Sequence, residues 1–220
     1  MAMNGEEGTT EVVKPEEPEE LSEAEVRRLW AEGDASDKRR ALEDATTAHA
    51  DIVEEVLRDA EHPLYTAALQ RLAFAFRSSP LFSRLVDALD DPREAIRAEA
   101  ADLLAWPEPV AARPRLLRVA REGRGIAAYE ATRTLAYATS REAMLALAEL
   151  ARQARDERVR EQAAESLAEL CSGCRNALES TRCEAEHRRL IAWLEPVAGL
   201  LGPLALWPGV PGWASGPRVL

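Results

Sequence analysis

The sequence predicts an all-α chain built as an α-solenoid, a stack of antiparallel helical hairpins. Three observations lead there. Apolar residues recur at spacings of three and four from Ser22 onward, the period of a helix with one buried face. Short breakers such as "EHP", "SSP", "DDP", "EGRG" and "TS" divide the pattern into helix-length pieces. The apolar positions then repeat at a step close to 31 residues, and a two-helix unit of that size buries its apolar face only by stacking on neighbours.

The elements follow in order. "SEAE" offers a capping box, Ser22 with Glu25 three residues on, opening a helix that carries Val26, Leu29 and Trp30. Ile52, Val53, Val56 and Leu57, followed by Leu64, Ala68 and Leu72, form a first weak hairpin. In the clearer copies, Ile96, Ala100, Ala101 and Leu104 map to Ala127, Ala131, Thr132 and Leu135, then to Val159, Ala163, Ala164 and Leu167. The preceding helices keep step: Leu85, Val86 and Leu89 match Leu116, Leu117 and Ala120, then Leu147, Ala148 and Ala151. About four hairpins result, with an extra helix or two at each end.

The segments "DDPREAIRAEAADLLA" and "DERVREQAAESLAEL" resemble the second-helix motif of HEAT repeats, in particular the short bacterial form related to the phycobilisome lyases. In that family an Asp turn precedes an apolar residue, an Arg, Ala-Ala and Leu. Asp91 with Arg97, and Asp156 with Arg160, occupy the positions whose charges run as a ladder between stacked repeats of the family. The middle copy departs, with Ala128 in place of Arg and Gly125 in place of an acid. The resemblance covers residues 50–170 and implies HEAT-like hairpins and a scaffold role.

Residues 1–20 carry seven acids and one base, so they supply −6 of the net charge of −11 and are expected to be a disordered acidic tail. A single HEAT-like domain is expected over 21–205, and an irregular Pro/Gly/Trp tail over 206–220. The acidic balance argues against nucleic acid and anionic membranes as partners. Three cysteines and a start without basic and apolar leader regions point to the cytoplasm. The apolar run 190–207 contains Glu195, Pro196 and Pro203, so it reads as terminal helices covering the last repeat and not as a membrane span.

No converging catalytic set is present, and neither are the GxxxxGK[ST], HExxH or GxSxG motifs. "GRGIAA" matches a dinucleotide loop in letters only, since helical spacing precedes it where a strand is required. The expected function is therefore non-enzymatic: a scaffold or adaptor that binds another protein. Outward positions of the second helices place Asp102, Arg133 and Glu165 in one row and Ala98, Tyr129 and Glu161 in another. Of these, Asp102, Tyr129, Arg133 and Glu165 are the candidate protein-binding residues. Alternatives are a nucleic-acid binder similar to HEAT-like DNA glycosylases, using the patch Arg113, Arg115, Arg118, Arg121 and Arg124, and a helper resembling the bilin lyases.

All three cysteines and one histidine fall between 171 and 187. Cys171, Cys174, Cys183 and His187 read either as a tetrahedral zinc site, with Gly173 allowing a tight turn between the first two ligands, or as small buried core residues, or as redox thiols. No cofactor is expected apart from that structural zinc.

Overall fold

The structure is a computed structural model that describes residues 20–105, 111–138 and 140–180, the backbone alone for 172–180, and the isolated positions 185, 188, 189 and 192. Among the described residues all regular structure is helical. Ten helices follow one another: α1 Glu23–Glu32, α2 Ala35–Glu43, α3 Ala50–Arg58, α4 Tyr65–Ala75, α5 Phe82–Asp87, α6 Glu94–Leu103, α7 Arg113–Arg121, α8 Gly125–Thr134, α9 Arg141–Gln153 and α10 Glu157–Ser180. Short 3-10 turns, Thr47–His49, Ala88–Asp90 and Leu135–Tyr137, extend three of the joints.

Helix α1 begins as the sequence requires. The Ser22 hydroxyl accepts from the Glu25 amide and the Glu25 carboxylate accepts from the Ser22 amide, at 3.4 and 2.9 Å, so two otherwise orphaned donors are satisfied. Asp34 and Asp37 repeat the device at α2. His49 is buried and takes the Thr46 amide on Nδ1, while Nε2 faces the Glu23 carbonyl. It thereby ties the α2–α3 connection to the first turn of α1.

Neighbouring helices pack in pairs. Helix α1 lies on α2, α2 on α4, α3 on α4, α7 on α8 and α9 on α10; α6 contacts α4 and α8, and α8 in turn contacts α10. The apolar positions named from the repeat are mostly the core: Ile96, Ala100, Ala101 and Leu104, Ala127, Ala131, Thr132 and Leu135, and Val159, Ala163 and Leu167 are all buried. Ala164 differs, being exposed. Its repeat mates Ala101 and Thr132 have a following helix, α8 and α10, on that side, whereas no described helix lies beyond α10. Ala98, expected in an outward row, is buried at 7% exposure. Helix α6 is packed on two sides, so its buried stripe is wider than a single helix–helix contact demands.

Arg93 fixes the joint before α6. Its Nε and Nη2 donate to the two Asp91 oxygens at 2.9 Å, Nη1 reaches Glu61 and the Ala60 carbonyl, and the guanidinium covers the Tyr65 ring at 5.1 Å. The Arg93 hydrogen bond holds the Asp91 carboxyl below its ordinary value of 3.8, against burial that pushes it up. A depressed folded-state pKa stabilises the fold above the unfolded value, and the contribution is lost as pH falls through the folded one. Asp91→Asn is thus expected to cost about 1–3 kcal/mol at neutral pH, with the gap to the parent narrowing below about pH 4. Urea melts across that range check it, and a gap independent of pH would contradict the assignment.

Candidate functional site

The site is built around the turn that departs from the repeat pattern, Glu122 to Gly125. Helix α7 ends at Arg121, and Gly123 and Gly125 take φ of 64° and 78°, a region closed to most side chains. "GRGIAA" is therefore the start of α8 preceded by a helix, as its spacing predicts. The N-cap residue Arg124 makes no side-chain cap. Acids on both adjacent hairpins do so in its place. Glu94, in the first turn of α6, accepts from the Ile126 amide at 2.7 Å, and Asp156, just before α10, accepts from the Gly125 amide at 3.2 Å. Carboxylates at a helix N-terminus satisfy its unpaired amides and oppose its dipole. The positive φ favours glycine here, and a Cβ on Gly125 would also press on the Glu94 carboxylate, which would have to withdraw.

The ladder arginines act differently from the motif's expectation. Arg97 Nη1 donates to the carbonyls of Asp91 and Pro92, and Arg160 Nη1 to those of Ala154 and Arg155. Both close the turn ahead of their own helix. Arg97 also reaches Glu122 across the stack at 3.6 Å. The middle copy, with Ala128 buried in place of arginine, is bridged instead by Glu94 and Asp156.

Between α8 and α10 lies a cleft of about 440 Å³, lined by Gly125, Ile126, Tyr129, Asp156, Arg158, Glu161, Gln162 and Glu165. Ile126 is half exposed, one of the few large apolar side chains among the described residues to be so, and Tyr129 is partly buried against the core. At its floor, Gln162 is buried and donates to the Ser166 hydroxyl at 3.1 Å. Glu161 and Glu165 are exposed. They stand four apart on α10, hence on one face and close enough to repel.

Two of the four candidate binding residues, Tyr129 and Glu165, thus line the cleft. The other two are paired beside it. Arg133 Nη2 bonds Asp102 and its Nε bonds Glu130 at 2.8 Å. Burial draws the Arg133 guanidinium down, but the Glu130 hydrogen bond and the charges of Glu130 and Asp102 outweigh it and leave its pKa raised. The row of alternating charge therefore stops at its second member, and Glu165 has no ion-pair partner among the described residues. Ile126 was not singled out from the sequence. Its signal was present, a large apolar residue one step off the inner stripe that begins at Ala127.

Two of the five arginines of the patch form ion pairs with acids of the preceding helix pair. Arg115 pairs with Asp87 at 2.6 Å and Asp90 at 3.3 Å, and Arg118 pairs with Asp90. A second, more open hollow of about 590 Å³ includes Arg115 and Asp87 with Phe82 and Val86. Of the metal candidates, Cys171 is buried in α10, and the Cys174 side chain, Cys183 and His187 lie outside the described residues. Helix α10 runs unbroken through Gly173, so the expected tight turn there is a helical turn instead, which keeps positions 171 and 174 on one face. No described helix is long and apolar enough to cross a membrane, and the run 190–207, apart from Ala192, is outside the described residues. Comparison with protein-family models and with curated proteins returns no match.

Proposed function

We propose that the chain is a HEAT-like α-solenoid acting as a non-enzymatic adaptor, and that the second-helix face around the α8–α10 cleft binds another protein. The stacking part of the reading is supported by the sequence distance between side-chain partners. Gln70 with Glu99, Glu61 with Arg93, Asp87 with Arg115, Glu94 with the Ile126 amide, Asp102 with Arg133, and Ala101 with Thr134 are separated by 28 to 33 residues. Each residue meets the one a repeat away, as nearest-neighbour stacking requires.

The binding part rests on one observation: the cleft combines an exposed Ile126 and an accessible Tyr129 with two acids, Glu161 and Glu165, that have no partner among the described residues. Exposed apolar residues framed by polar ones mark interaction surfaces. Nucleic acid fits less well. Arg115 and Arg118 already meet Asp87 and Asp90, and phosphate binding would have to displace those acids.

Pull-down from native lysate should retain a defined set of proteins, and reversing the charges of Asp102, Arg133 and Glu165 together should release part or all of it. An identical set with the triple variant removes this face from the reading.

A further inference from the structure

The chemistry of the cleft also specifies what it holds. Its rim carries Asp156, Glu161 and Glu165 against one base, Arg158. Asp156 is committed to the Gly125 amide and to the Arg158 amide at 3.0 Å. Glu161 and Glu165 have no hydrogen-bond or ion-pair partner among the described residues, and Arg133, the cation expected opposite Glu165 from the repeat, is turned to Asp102 and Glu130. Two carboxylates one helical turn apart are thus left beside an aromatic ring and an aliphatic side chain. Ile126 and Gly125 are held from both sides by Glu94 and Asp156, so the apolar edge is ordered before any ligand arrives.

We propose that this cleft receives a basic, apolar-anchored segment of a partner protein: an arginine whose guanidinium lies on Tyr129 and bridges Glu161 and Glu165, next to an aliphatic residue packed on Ile126. Arginine suits the geometry better than lysine, because its planar fork can pair with carboxylates while stacking on a ring. The volume, about 440 Å³, accommodates a few side chains of such a segment and not a folded domain. An acidic peptide, nucleic acid or an anionic lipid surface would meet net repulsion, with Asp156, Glu161 and Glu165 facing the single base Arg158. This inference rests on the adaptor reading and names the partner's chemistry.

The test is selection of random peptides of about 12 residues on the full chain, followed by anisotropy titration of the enriched peptides. Enriched sequences should share an arginine beside an aliphatic residue. Glu161→Arg with Glu165→Arg should weaken them about tenfold or more, and Glu161→Gln with Glu165→Gln by a smaller factor in the same direction. Ile126→Ser should also weaken them. Peptides without a cation, no enrichment, or unchanged affinity in the charge-reversed variant overturns the inference. So does full retention by Ile126→Ser, which would reduce the site to an acidic surface. Displacement by a synthetic peptide of residues 206–220 would assign the cleft to the chain's own C-terminal segment, and likewise overturns it. The adaptor reading fails separately, when the parent chain retains no defined set of proteins from the lysate.

Discussion

Leu135→Ala is expected to destabilise the fold by about 3 kcal/mol, near the middle of the range for emptying a fully enclosed leucine site. Leu135 is wholly buried and opens the 3-10 turn Leu135–Tyr137, which touches α7, α8, α9 and α10. Four helices pack against the turn that carries this side chain, so no single one can move in to fill the space without leaving another. The thermal midpoint should fall by about 6–12 °C for a chain of this length. Where the loss appears along the chain is equally informative. In a stack coupled only between neighbours, the amides of α7 to α10 should exchange faster while those of α1 to α3 keep their protection. Hydrogen exchange read by mass spectrometry decides it. Uniform loss of protection would contradict nearest-neighbour stacking, and a cost below about 1 kcal/mol would contradict the burial.

Gly125→Ala should cost about 2–3 kcal/mol, with two separable causes. The backbone at φ 78° disfavours any L side chain by roughly 1–2 kcal/mol. The added Cβ also meets Glu94 Oε1. Glu94 is flexible and can retreat, but doing so gives up its bond to the Ile126 amide, an N-terminal cap of about 1 kcal/mol. Glu94→Ala alone isolates the second cause and should lose only that smaller amount. In the double variant the steric part disappears, so the two changes should not add. Denaturant melts of the three variants measure the cycle, and strict additivity would separate Glu94 from the Gly125 backbone. Because the same capping orders Ile126, Gly125→Ala should weaken partner capture as well as stability.

Much of the architecture was legible in the letters. The three-and-four spacing marked the helices, Ser22 with Glu25 marked the first cap, and the step of about 31 picked out Ile96, Ala127 and Val159 as equivalent buried positions. These are local or periodic properties, carried by a helix wherever it packs. The HEAT-like motif also led to Arg97 and Arg160, although their roles differ from a simple ladder: Arg160 closes the turn before its own helix, and Arg97 does the same with Nη1 while Nη2 reaches Glu122 on the following helix pair. Tyr129 and Glu165 were reached by counting angles from the buried stripe, a count that misplaced Ala98, while Ala164 was misplaced by the repeat step. A helix packed on two sides buries more than one stripe, and one lacking a described neighbour beyond it buries less.

The sequence by itself determined that the chain is helical, where its first helix begins, and which positions recur. Only tertiary structure decided which charges are spent. Asp102 and Arg133 pair with each other, Arg115 and Arg118 pair with Asp87 and Asp90, and Glu161 and Glu165, beside Ile126, have no ion-pair partner among the described residues. The physical reason is range. Periodicity is a property of neighbours along one helix, whereas an ion pair depends on which of several carboxylates, some 28 to 32 residues away, comes within about 4 Å when helix pairs pack together.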